Sequence, residues 1–124
     1  MVKNFENVTL GSANATKLAK FYQGKVGLKQ SWDAVMGKDT NVYGFTIGKM
    51  DLVVIDHPKV KGKSKESFRA VFSLEVDNLE KEFAKLKKAG VKIISPIYHI
   101  EEYGYVATFE DLDGNHFQLV KTHE

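Results

Sequence analysis

The sequence predicts an α+β fold built from paired βαβββ modules whose strands form a curled, mostly antiparallel sheet. Three observations lead there. Strand-like and helix-like periods follow the same order in both halves of the chain, the halves superimpose with a single gap, and two helices are too few to cover both faces of so many strands. A length of 124 residues suits a single domain with one core. Within residues 1–124, module one is expected at about 5–57, a connector at about 58–68 and module two at about 69–122.

The first module opens with Asn7-Val8-Thr9-Leu10, whose apolar and β-branched residues suit a strand, and Gly11-Ser12-Ala13-Asn14 supplies capping residues for a helix. Ala15, Leu18, Ala19, Tyr22 and Val26 recur at spacings of three and four, which gives that helix one buried stripe. Gly27 is placed to end it in a left-handed conformation. The second module repeats the order. Val71 to Val76 alternates like a strand, Asp77 with Glu80 reads as a capping box, Leu79, Phe83 and Leu86 mark an inner face, and Gly90 is the stop. A shift of 64 positions puts Leu10 on Leu74, Asn14 on Asn78 and Tyr22 on Leu86. One gap then aligns Gly27-Leu28-Lys29 with Gly90-Val91-Lys92, so the chain reads as a duplicated module. Three strands are expected after each helix: Leu28 to Trp32, Asn41 to Ile47 and Asp51 to Asp56 in the first module, and Lys92 to Ser95, Tyr103 to Phe109 and His116 to Lys121 in the second. Asp111 to Asn115 is the tight turn before the last of these.

Composition excludes several kinds of function. With no cysteine there are no disulfides, thiolate zinc sites or cysteine nucleophiles, which agrees with an expected cytoplasmic location. Eighteen basic against sixteen acidic residues leave +2, too weak an excess to predict a nucleic-acid partner. Lys59, Lys61, Lys63 and Lys65 read as a solvated connector. The N-terminus lacks the apolar stretch of a signal peptide, and the longest apolar run, Leu52 to Ile55, is far too short to span a bilayer, so no membrane association is expected. No nucleophile elbow, Walker loop or dinucleotide fingerprint is present.

Several phrases in order carry a family resemblance: Phe21-Tyr22 leading to Gly27-Leu28, Leu74-Glu75-Val76-Asp77-Asn78-Leu79 before Ala89-Gly90-Val91, and the terminal run Asp111-Leu112-Asp113-Gly114-Asn115-His116-Phe117-Gln118-Leu119. Together they resemble the vicinal oxygen chelate (VOC) superfamily, the glyoxalase, bleomycin-resistance and dioxygenase group. That resemblance implies an open cup with a ligand inside it and a homodimer. In the enzymes of this family it also implies a divalent ion held by a histidine or glutamine opening the first strand of each module and by a glutamate in the last strand.

The matching positions here are Asn7 and Val71 in the two opening strands, Leu52 or Val54 in the last strand of module one, and Gln118 in the last strand of module two. One neutral amide is a poor sole anchor for a transition metal, so no metal and no other cofactor is expected. The alternative is a site rebuilt from Gln118 with His99 or His116. His116 reads as a solvent-facing rim residue, and His57 and His123 as exposed ones.

Strand parity and aromatic placement nominate Asn7, Trp32, Leu52, Val71, Tyr105 and Gln118 as the lining of a cup that binds a small, partly apolar molecule, with Gln118 the first choice. The alternatives are a lyase, isomerase or dioxygenase-like enzyme with an altered metal site, or a metal-free catalyst. A protein-interaction module is a further alternative.

Overall fold

The computed structural model describes residues 1–123. The chain divides into two compact units, one over Met1–Gly62 and the other from Lys63 onward. Each has the order strand, helix, three strands.

The first unit contains β1 (Asn7–Ser12), α1 (Ala15–Phe21), β2 (Trp32–Met36), β3 (Thr40–Ile47) and β4 (Met50–Asp56). Its four strands run in the order β1-β4-β3-β2, with β1 parallel to β4 and the other neighbours antiparallel. The Asn14 side chain accepts from the Lys17 N–H at 3.1 Å and so caps α1. A π-helical turn over Tyr22–Val26 continues that helix, and Gly27, at φ 88°, ends it. The stripe read from the sequence is buried: Ala15, Leu18, Ala19, Tyr22 and Val26, joined by Phe21, belong to the core with Phe45, Leu52 and Val54.

The second unit contains β5 (Val71–Glu75), α2 (Leu79–Lys88), β6 (Lys92–Ile100), β7 (Gly104–Glu110) and β8 (His116–Thr122), in the order β5-β8-β7-β6. Again the first and last strands pair in parallel and the rest are antiparallel. Phe109 and Phe117 stack 5.6 Å apart at the centre of its core, with Phe72, Phe83, Leu79 and Leu86 around them. Lys85 pairs with Glu82 on the outer side of α2.

Three expectations move, the first being the strand expected at Lys92 to Ser95, which runs on through Pro96 to Ile100 and puts His99, expected in a loop, on a strand. The strand expected at Leu28 to Trp32 lies instead at Trp32–Met36, an edge strand exposed along its whole length. It has no buried face to write a period into its sequence. The cap of α2 is Asn78, which accepts from the Lys81 N–H at 3.1 Å, and not the preceding Asp77. Asn14 and Asn78 thus make the same hydrogen bond at positions 64 apart. No helix among the described residues is long and apolar enough to cross a membrane.

Candidate functional site: the open sheet faces

A helix covers one face of each sheet, and side chains on the other face have no helix over them. Register decides which residues these are, because side chains alternate along a strand and register partners share a face.

In the first unit, Asn7 is opposite Asp51 and Asp51 is opposite Thr46, so these three form one row on the open face. The neighbouring row is Thr9, Val53, Gly44 and Trp32. The Trp32 indole lies against Gly44, where a side chain would collide with the ring. Its Nε1–H donates to Asp51 Oδ2 at 3.2 Å, and Thr46 Oγ1 donates to Asp51 Oδ1 at 2.8 Å. Asn7 accepts from the Thr9 hydroxyl at 2.6 Å and donates to Glu6 at 2.7 Å. Trp32 is 38% exposed although the polar end of its ring is tied down, which leaves an oriented aromatic surface.

In the second unit the corresponding row is Ser73, Gln118 and Thr108, across β5, β8 and β7. Ser73 Oγ donates to Gln118 Oε1 at 2.9 Å, and Gln118 Nε2 donates to Thr108 Oγ1 at 3.2 Å. The amide therefore ties three strands together. The adjacent row is Val71, His116 and Glu110. Here His116 is 5% exposed, which corrects its reading as a rim residue: the Phe68 ring stands edge-on to it at 4.4 Å. Its Nε2 lies 3.4 Å from Glu110 Oε1, while the buried Nδ1 has no hydrogen-bond partner among the described residues.

Four of the six nominated residues, Asn7, Trp32, Val71 and Gln118, lie on these open faces. The other two do not. Leu52 pairs with Phe45, is 4% exposed and packs on the helix side, as does Val54. The position in β4 equivalent to Gln118 is Val53. Every residue from Leu52 to Ile55 is apolar, so hydrophobicity could not separate the two faces of that strand. Tyr105 pairs with Lys121 and has the parity of Ala107 and Phe109, which puts it on the helix side of β7. It stands exposed beyond the start of α2, at a groove of about 340 Å³ lined also by Asn78, Leu79 and Ile97. Sequence reasoning misses Asp51 and Thr108, whereas strand parity with Val71 puts Ser73 on this face and makes its hydroxyl a candidate partner for the Gln118 amide, as found. Asp51 is recoverable once β4 parity is set from Asn7.

At the other end of the first sheet, Asp56 receives the Ala15 N–H at 2.8 Å and both the backbone and side-chain N–H of Asn41 at 3.0 and 3.1 Å. Burial acts to raise the Asp56 carboxyl, but these three hydrogen bonds outweigh it and hold the group below its ordinary value.

The family model of the Glyoxalase/Bleomycin resistance protein/Dioxygenase superfamily matches residues 5–119, and the chain belongs to that superfamily. Solved structures with the same fold include UcmS2, at 22% identity and TM-score 0.77 over 98% of this chain and 100% of that one. TnmS3, an antibiotic binding protein from Streptomyces sp. CB03234, is 19% identical with TM-score 0.78, covering 98% of each chain. The fosfomycin resistance protein FosX from Listeria monocytogenes is 13% identical with TM-score 0.77 over 99% of this chain and 96% of its own. No curated protein matches the chain.

The residues at the positions where the enzymes of this superfamily hold a divalent ion do not fit one. Val71 and Val53 are hydrocarbon, Asn7 is engaged by Thr9, and both ends of the Gln118 amide are hydrogen-bonded. No group of three or more His, Cys, Asp or Glu among the described residues is arranged to hold a metal.

Proposed function

We propose that the chain binds a small, partly apolar molecule on its open sheet faces without using a metal at the superfamily position. The observation that carries this reading is Trp32: an indole laid over a glycine and fixed by Asp51 is an aromatic surface held ready for a planar partner. Asn7 and Asp51 on the first sheet's open face, and Val71 and Gln118 on the second sheet's own open face, each supply apolar area beside a few polar groups of the kind that orients such a ligand. That a structural relative is an antibiotic binding protein supports the same class of ligand.

Trp32 is the sole tryptophan, so its fluorescence reports on this surface directly. Anthraquinone-2-sulfonate, titrated as a planar probe, is expected to quench it saturably, with the same affinity in excess EDTA as without it. Quenching abolished by EDTA, or no saturable quenching, contradicts the reading. A homodimer belongs to this proposal. Val35 and Met36 stand exposed on the edge strand β2, and a two-fold partner covers such an edge. Light scattering should then give about twice 14.0 kDa, whereas a monomer across the concentration range removes the dimer.

A second reading, a metal-free acid–base catalyst, is favoured by one feature. His116 places Nε2 beside Glu110 and keeps Nδ1 unpartnered on the Gln118 face, the arrangement in which a carboxylate orients a histidine for proton transfer.

A further inference from the structure

We propose that His99 and His123 form a binding site for a divalent late-transition-metal ion, separate from the positions the superfamily uses. His99 lies on β6 opposite Tyr105 of β7. His123 directly follows β8, and its backbone N–H donates to the Tyr103 carbonyl at 2.8 Å, which holds it beside β7. The two imidazoles meet with Nε2 facing Nε2 at 3.0 Å. Their rings are inclined by 74°, and the Tyr105 ring packs against both, 4.7 Å from His99 and 6.0 Å from His123.

Two ring nitrogens in this relation have two ways to be satisfied. One is a hydrogen bond, which requires the Nε2–H tautomer on one ring and the Nδ1–H tautomer on the other. The other is a shared cation. Nitrogens bound at about 2.0–2.1 Å to one ion, at angles between a right angle and the tetrahedral value, lie about 2.8–3.4 Å apart. The observed separation already falls in this range, so accepting an ion requires the rings to turn their Nε2 lone pairs toward a common point but not to move apart. The contact with Tyr105 restricts both rings, so part of the ordering cost of binding is already met by the fold. No third His, Cys, Asp or Glu of the described residues joins the pair, so water completes the coordination. Two imidazole ligands select copper, nickel and zinc over magnesium and calcium, with copper the tightest.

The pair is on the Tyr105 side of the second sheet and not on the Gln118 face, so it tests separately from the ligand site. The experiment is calorimetric titration of the untagged, EDTA-stripped full chain with Zn²⁺, Ni²⁺, Cu²⁺ and Mg²⁺. One equivalent of Zn²⁺, Ni²⁺ or Cu²⁺ per chain should bind in the micromolar range, Cu²⁺ most tightly, and Mg²⁺ should give no heat. His99→Ala and His123→Ala should each weaken Zn²⁺ binding by about tenfold or more, with an unchanged circular dichroism spectrum. His57→Ala and Gln118→Leu should leave it as it was. Absence of Zn²⁺ binding, binding that survives loss of both His99 and His123, or binding lost in Gln118→Leu overturns the proposal.

Discussion

The two units share one backbone plan and differ on one face. At equivalent positions the first sheet carries Asn7, Asp51 and Thr46 where the second carries Val71, His116 and Glu110; the next row carries Thr9, Val53 and Gly44 against Ser73, Gln118 and Thr108. The first row keeps polar side chains in both sheets, but in the next row the second sheet carries three polar side chains where the first has a threonine, a valine and a glycine under an indole. The helix-covered faces differ far less in kind. Tyr22 and Leu86, 64 positions apart, are both fully buried, and the Asn14 and Asn78 caps are made to the same distance. Packing constrains one face of each module in the same way, because any change of volume there is felt by its neighbours. The open faces carry no such constraint and are where the modules have acquired separate chemistry.

Substitutions on the two faces should therefore separate fold from function. Phe117→Ala removes a ring stacked between Phe72 and Phe109. Its cost to stability should be the largest single effect, about 3–5 kcal/mol by denaturant unfolding. A cost below about 1 kcal/mol would mean that the packed face is not what holds the second unit.

A smaller effect distinguishes the modules at acid pH. The Asp56 carboxyl binds across the start of α1, whereas the pairing that matches Asp51 to His116 puts Lys121 at the equivalent place in β8. The folded state lowers the Asp56 pKa, so its stabilising contribution is complete above the unfolded carboxylate value near about 3.9 and is lost as pH falls through the lower folded value. Asp56→Asn should be less stable than the parent at neutral pH, and the gap should narrow in the acid range. A gap that is constant with pH would remove the charge from the explanation.

The parts of this structure that are legible in the sequence are those where local chemistry and burial agree. The α1 stripe, the Asn14 cap, the glycine stops and the turn in which Asp111 accepts from the N–H groups of Asp113 and Asn115 all have signals within a few residues, and the α2 cap reads only one residue away from its place. The rest requires pairing. Leu52 and Tyr105 read onto the wrong face because a run of apolar residues and an aromatic at a strand start have no readable parity of their own. His116 reads as a surface residue because what buries it, Phe68, comes from a connector without periodicity. Gln118 is legible through the terminal run it shares with the superfamily, and Ser73 through its parity with Val71 in the opening strand of the module; Thr108 is not, since nothing local sets which face of β7 it lies on.

The central claim, that the open face carries binding and the packed face carries the fold, is tested most directly at Gln118. Gln118→Leu keeps the volume, removes two hydrogen bonds to hydroxyl groups, and should cost only about 1 kcal/mol of stability. Affinity for the planar probe at the second sheet's own open face, measured by calorimetry, should fall by about 1–3 kcal/mol, as expected when a polar group of the ligand loses its partner. Unfolding of Gln118→Leu, or probe binding equal to that of the parent, would contradict the account.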